Sequence, residues 1–537
     1  MSRATSRILM GLFAGGAACG AAHADRPKFG AFMDLQQVAT TALSGEGVDD
    51  VTYTEVSGSV AAEISNRRIV ASGTYRLSYR IPEYGDSDKN FTQDGVMRLQ
   101  AKVIDEWLSV DAGAIATRSR VDPSGAAPTT NVGNPKNLTQ TYSFFFQPAL
   151  AHRIGDLSLQ SNYRYAYTEN NNSQIDTGST GPLTDRFDSS VVQEASLALG
   201  MAQSALPFDW KLSAEYRHEN TTSLAQHFRA FSTSGEVKLP LGMSRVALVA
   251  SGGYEQTKTS QRKALLDPVT QLPVLGKGGK FVVDPASPRI MTYDMSGLIG
   301  DAGIIWRPSQ RTRLEARAGY RYGGLSLTGL LEMRPDPRTG LTVIVTDRIG
   351  TFGQGVSGGL ASSGPDINLG RTADPTNSYQ NCLFGRATGT GQCIAGSLGQ
   401  ASANSYRERA VNLIFSRQFR HWDVASTLGY SRRTYNDDPT SPVSLEGVVD
   451  QSFFSSLSLG RGLTRTSRVS FSFSGNYFMN GQVGASDVMS GSFTTSYNRS
   501  FGRGIQLQAS MAVDGTKQES MTADVSGRAQ LGLQYKF

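Results

Sequence analysis

Hydrophobic and polar residues alternate along most of this chain. In "IVASGTYRLSYRI", Ile69, Ala71, Gly73, Tyr75, Leu77, Tyr79 and Ile81 share one parity, and Ser72, Thr74, Arg76, Ser78 and Arg80 share the other. "LSLQSNYRYAYT" repeats the pattern, with Leu157, Leu159, Tyr163, Tyr165 and Tyr167 set against Ser158, Gln160, Asn162 and Arg164. "RVSFSFSGNYF" does so from Val469 to Tyr477, and "IQLQASMAVD" from Ile505 to Val513. A period of two belongs to a strand with one apolar and one wet face. The pattern predicts strands near 28–41, 51–65, 69–82, 94–104, 107–118, 141–153, 157–168, 189–202, 209–221, 227–239 and 244–257. It predicts further strands near 291–307, 312–323, 325–334, 341–352, 405–419, 421–435, 449–461, 465–479, 485–499, 503–515 and 520–537. No helical period competes over a comparable length.

The connections alternate too. Short turns at 66–68, 105–106, 154–156, 308–311, 335–340, 420–421 and 501–502 alternate with longer polar stretches, of which 258–290 and 353–404 are the longest. Outer-membrane barrels keep short turns on the periplasmic side and long loops outside. On that rule the strand at 51–65 runs inward, so "KFGAFMDLQQVAT" must carry the chain outward before it. The fold expected is all-β: a single transmembrane antiparallel barrel of about 22 strands. The count falls to about 20 if Gly323-Gly324 is a bend and not a hairpin turn. Alternation continues to the last residue, so Tyr535 and Phe537 end the closing strand. By analogy with other barrels, they are also the expected signal for the barrel assembly machinery.

Composition fits this reading once the alternation is known. A hydrophobic fraction of 39% and a mean hydropathy of −0.28 resemble those of a soluble protein. Beyond the N-terminus there is no apolar run near the ~20 residues of a membrane helix. An alternating barrel has such an average, because only half of each strand meets lipid. Arg3 and Arg7, the apolar "ILMGLFAGGAACGAA" and Ala22-His23-Ala24 read as a signal peptide over 1–24, cleaved after Ala24, with the barrel at 25–537. Cys19 would suit a lipoprotein only with a larger residue than Gly16 before it. The expected location is the outer membrane of a Gram-negative bacterium, in contact with lipid and lipopolysaccharide. A net charge of +6 gives no reason to expect nucleic acid. Cys382 and Cys393, in "NCLFGRATGTGQC", suit a disulfide in an exported protein better than a zinc site, because no His or second Cys pair is near. No metal or cofactor is expected.

The most distinctive stretch is "IIWRPSQRTRLEARAGYRYGG". Its Trp306, Pro308, Ser309, Arg311, Thr312, Gly319, Arg321 and Gly323 resemble a turn motif of exopolysaccharide-locus outer-membrane barrels, the PEP-CTERM-system-associated family. Similarity extends to "FFFQPALAHRIGDLSL" (144–159) and "RPDPRTGLTVIVTD" (334–347), and is looser elsewhere. The resemblance implies a role in surface polysaccharide without a mechanism. The plainer reading of the motif is a tight turn that sets hairpin geometry.

The face expected to line the lumen carries Arg76, Arg80, Arg164, Arg217, Arg317, Arg321, Arg433, Arg468 and Arg528, against fewer carboxylates. Arginine rings favour anions. These features lead to the expectation of a non-enzymatic pore or scaffold for exopolysaccharide export or cell-surface polysaccharide. Anionic polysaccharide and periplasmic export components would be its partners. The competing reading of the arginines is pairing with lumen carboxylates. A general diffusion porin for small solutes is the alternative, followed by a surface hydrolase built on His218 and His227 with Glu215 and Glu219 nearby. "GVSGG" at 355–359 matches a nucleophile motif but is read as loop, and that motif needs a strand–turn–helix setting. A barrel this wide needs a plug. Segment 353–404, long and Gly-rich, is expected to fold into or over the mouth.

Overall fold

The computed structural model describes residues 27–537 apart from 46–49, 86–90, 122–136, 172–182, 204–205, 243–244, 369–381, 503 and 520. The proposed signal peptide lies outside the described residues. In chain order the strands are β1 (Lys28–Ser44), β2 (Val51–Ser65), β3 (Ile69–Tyr84), β4 (Phe91–Ile104), β5 (Leu108–Arg120), β6 (Leu138–Ile154), β7 (Leu157–Asn171) and β8 (Ser189–Met201). There follow β9 (Asp209–Thr221), β10 (His227–Leu241), β11 (Val246–Gln261), β12 (Ile290–Ser309), β13 (Thr312–Arg321), β14 (Gly324–Asp336) and β15 (Thr339–Gly350). Helix α1 (Phe352–Ser362), the small strands β16 (Cys382–Phe384) and β17 (Gly391–Cys393), and helix α2 (Ala395–Leu398) come next. The chain ends with β18 (Ser405–Gln418), β19 (Trp422–Asn436), β20 (Val449–Gly462), β21 (Ser467–Met479), β22 (Val488–Ser500), β23 (Ile505–Gln518) and β24 (Asp524–Lys536).

Twenty-two of these strands form one antiparallel sheet, each paired with the next, with β15 passing to β18 and β24 returning to β1. Closure leaves no sheet edge in lipid, where an unpaired N–H or C=O would be costly. The seam is tight: Tyr535 lies opposite Met33, and the Phe537 N–H donates to the Ala31 carbonyl at 3.0 Å. The Tyr535 and Phe537 rings stack edge to face, 4.9 Å apart. Leu298, Leu325, Met511 and Leu531 point outward and stay exposed, as a lipid-facing belt requires. At the rim of short turns, Arg417, Arg461 and Arg499 lie over Phe419, Trp422 and Phe501, each about 5 Å from ring centre. Among the described residues no helix is long and apolar enough to cross a membrane.

Gly323-Gly324 is part of a true hairpin, so the count is 22. Tyr322 and Gly323 have φ of 53° and 72°, the two positive angles of a type I′ turn. This hairpin is short, and β12 pairs with β13 only from Gly300 onward. Above it, β14 pairs with β15 only from Gly329. Arginines take two of the carbonyls at this turn. Arg407 donates to the Tyr322 and Leu325 carbonyls at 3.2 and 3.1 Å, and Arg409 to that of Leu325 at 3.1 Å.

Candidate functional site

The lumen is obstructed by the chain itself. Gly350 pairs with Tyr406, so the segment between β15 and β18 leaves and re-enters the wall at one point on its long-loop, external end. Thr351 caps α1, accepting from the Gln354 N–H. The helix drops inward with Phe352, Val356 and Leu360 fully buried, against Val96, Ile115, Phe145, Ala166 and Val192 of the wall. Those five wall residues share strand parity with lumen groups such as Arg98 and Thr168, so an apolar core sits inside the barrel. Phe187 stacks on Phe352 at 4.6 Å, and Ile394 and Leu398 complete the cluster.

Charged wall residues hold the segment by its backbone. Arg98, wholly buried, donates to the Leu360 and Ala361 carbonyls at the end of α1 and forks onto Asp111 at 2.8 and 2.9 Å. A guanidinium there also meets the negative end of the helix dipole. Arg433 donates to the Gly396 carbonyl in α2 and pairs with Glu408 at 3.0 Å, which also takes Arg348 at 2.6 Å. At the start of α1, buried Glu219 accepts from Thr351 and from the Gln354 amide.

Beyond α1, the β16–β17 hairpin runs to the far end of the lumen. Cys382 and Cys393 face each other in register and are joined as a disulfide. The tip lies beside the short turn between β14 and β15. Thr388 donates to the Pro337 carbonyl at 3.3 Å, Thr342 to that of Gly389 at 2.6 Å, and the Gly389 N–H to Ser416 at 2.8 Å. Gly340 and Gly389 approach so closely that a Cβ on either would strike the other's stretch of backbone. Arg386 pairs with Glu63 near the β2–β3 turn. The expected occluder therefore goes deeper than the mouth and reaches the periplasmic rim.

The nine lumen arginines are not a free basic surface. Arg76 lies by Asp34 and Glu55, and Arg80 by Glu55. Arg164 pairs with Glu194, Arg217 with Glu215, and Arg321 with Glu255. Arg317 meets Glu236, Asp301 and Glu315, and Arg433 meets Glu408. Arg468 pairs with Asp423 and Arg528 with Asp514. An uncompensated charge beside a low-dielectric wall is costly, and carboxylates on the same or a nearby strand offset that cost.

The motif from 306 to 323 builds hairpin geometry. Ser309 faces Thr312 across the turn and accepts from the Arg311 N–H at 3.2 Å, while Arg311 reaches the Pro335 carbonyl at 2.9 Å. Trp306 points outward beside Pro308, and Gly319 has no room for a Cβ against the Gly300 carbonyl. Arg321 secures Glu255 below the Tyr322-Gly323 turn.

The hydrolase reading fails on orientation. His218 and His227 face out, ring centres 6.3 Å apart, whereas Glu215 and Glu219 lie at lumen positions of the same strand. "GVSGG" is helical and not loop, but Ser357 is mid-helix, fully buried, and donates to the Gly353 carbonyl at 2.7 Å. No group of three metal-ligating side chains occurs among the described residues.

An external cap forms where Asp185, Phe281, Gln261 and Asp437 meet. Asp185 is buried and accepts from the Phe281 N–H at 3.0 Å. Burial first, and the Asp437 carboxylate with it, push its carboxyl up to about 7 against that hydrogen bond, the Lys280 ammonium and the Arg186 N–H. A raised carboxyl stabilises the cap fully below the ordinary carboxylate range, and this stabilisation is lost as pH rises through about 7. Amides near Phe281 and Asp437 should therefore exchange with solvent more slowly at pH 6 than at pH 8, once intrinsic rates are corrected. Asp185→Asn should erase the difference, and equal protection at both pH values in the unaltered protein would refute it.

No family model and no curated protein matches the chain. Solved structures of similar fold include the ferric-catecholate import receptor Fiu from Escherichia coli K12 in its open form. It is 10% identical, with a TM-score of 0.47, covering 96% of this chain and 82% of that one. The FrpB iron transporter from Neisseria meningitidis gives 10% and 0.44 over 95% and 82%, and the copper transporter OprC gives 12% and 0.41 over 95% and 81%. The expectation of exopolysaccharide export or surface-polysaccharide scaffolding is corrected. The lumen is obstructed and charge-paired where a polymer would need a wide basic path. A general diffusion porin fails for the same reason. A closed 22-stranded antiparallel sheet with an outward apolar belt is that of an outer-membrane barrel in contact with membrane lipid.

Proposed function

We propose that the protein is an outer-membrane importer for a small nutrient, held closed at rest by its own lumen segment. The observation that carries this reading is the reach of that segment. Its described residues meet the external rim at Thr351 on Glu219 and the periplasmic rim at Thr388 on Pro337, and residues 382–404 lead from there back to the external end. A solute bound outside thereby touches one end of an element whose other end lies at the periplasmic mouth. The anchors are hydrogen bonds and ion pairs, which can exchange partners without unfolding the wall. The apolar seat opposes spontaneous opening, because release would expose the buried faces of α1 and of the wall to water. A deletion strain competed against its parent, in media each limited for one nutrient, should lose in one such medium and hold its own in rich medium. Equal fitness in every limited medium would overturn the importer reading.

A further inference from the structure

The lumen segment leans on β4 to β8 and on β18 and β19, and meets the β9–β14 wall at Glu219. That other wall carries a polar cavity of about 140 Å³ at the height of the short β13–β14 hairpin. By the same measure one water needs only about 10–15 Å³, so the space suits a solute of monosaccharide size. We propose that this cavity is a binding subsite for a small uncharged polyhydroxylated solute, a proposal that rests on the importer reading above.

Two features of the lining select that chemistry. The first is charge already paired. Arg317 spans Glu236 at 2.7 Å, Glu315 at 2.8 Å and Asp301 at 3.4 Å, and Arg321 holds Glu255 at 2.8 Å. An anion entering here would compete with carboxylates already in place, and a cation would compete with the guanidiniums. Neither gains an uncompensated partner to offset its own desolvation. The second feature is a field of hydroxyls. Ser213 and Ser234 share a hydrogen bond at 2.9 Å, Ser251 donates to Asp301 at 2.5 Å, and Ser232, Ser326 and Thr328 complete the rim. A hydroxyl both donates and accepts, so adjacent serines can exchange their mutual bond for bonds to a vicinal diol. The paired carboxylates and guanidiniums keep spare acceptor and donor positions that a polyol can use without carrying charge. Tyr320, the aromatic residue at this lining, belongs to the exposed outward parity of β13 and offers the cavity no ring face. That favours a solute hydroxylated on both faces.

The test uses the full-length protein in detergent, with myo-inositol and D-glucose as neutral probes and gluconate and glucosamine as charged ones. Binding is read by saturation-transfer magnetic resonance and calorimetry. Saturable binding of a neutral probe is expected, with the charged analogues at least about tenfold weaker, as for a site of buried polar groups denied a matching partner. Ser234→Val and Thr328→Val should each weaken the neutral probe, whereas Ser510→Val on a distant lumen strand should not. The heat-modifiable mobility of each variant reports whether the barrel has folded. No binding of either neutral probe, tighter binding of a charged analogue, or affinity indifferent to Ser234 and Thr328 in folded variants would each overturn the proposal. Binding needs no nutrient phenotype, so this inference and the importer reading fail separately: absent binding with a clear fitness loss removes only the subsite. Binding with no fitness loss in any medium removes only the importer.

Discussion

Replacing residues 352–404 with a short Gly-Ser turn is expected to convert an obstructed barrel into an open one. The splice is geometrically mild, because Gly350 and Tyr406 already lie opposite each other in adjacent strands. All 22 wall strands and their pairings remain. What disappears is α1, the disulfide hairpin and α2, which together fill the lumen beside β5 to β8. Single-channel conductance in planar bilayers should rise on the order of tenfold or more, as expected for an unplugged barrel of this width. Cells carrying the variant should become sensitive to large antibiotics that the outer membrane normally excludes. The variant should also be less stable, since Val96, Ile115, Phe145, Ala166 and Val192 would face water. A heat-modifiable, folded variant with unchanged conductance would show that the segment does not close the path.

Glu408→Ala should be the most damaging single substitution in the lumen. The Glu408 side chain is 5% exposed and serves two guanidiniums, Arg433 at 3.0 Å and Arg348 at 2.6 Å. Arg433 is itself 4% exposed and holds the Gly396 carbonyl of α2. Truncation leaves the buried Arg433 guanidinium without its hydrogen-bonded carboxylate, a change that costs about 3–5 kcal/mol in comparable settings. The loss should appear as a lower unfolding temperature in the heat-modifiability assay and as a leak, because the Arg433 anchor loses its orientation. Glu408→Gln keeps shape and hydrogen bonds and should lose less. Wild-type stability together with a closed lumen in Glu408→Ala would contradict this account.

Much of the wall is legible in the residues alone. The 22 strands, the closing role of Tyr535 and Phe537, and the Tyr322-Gly323 hairpin follow from alternation and turn chemistry, which are local. The lumen arginines are legible as positions but not as a surface. Arg317 meets carboxylates from β10, β12 and β13, and which charges become neighbours depends on strand register. The seat of the lumen segment does leave a trace. "SFFFQ", "GAIAT" and "SSVVQ" each place an apolar residue on the wet parity, at Phe145, Ile115 and Val192. Breaks in alternation on neighbouring strands mark a lumen wall covered by protein instead of water. Arg98, Glu219 and Glu408 give no such sign, since a lone charge on the wet face is what any barrel strand displays.

The barrel, its strand number and the direction of its loops are written in the order of residues, because a strand in a membrane must alternate and its turns need particular side chains. The contents of the lumen are not. The segment from 352 to 404 packs by contacts hundreds of residues apart, such as Arg98 on Leu360 and Arg386 on Glu63. Its helix is short and rich in glycine and serine, with little intrinsic tendency to form. It is helical because the wall buries one side and Thr351 and Arg98 cap its two ends, and these causes come together only when the barrel closes around it.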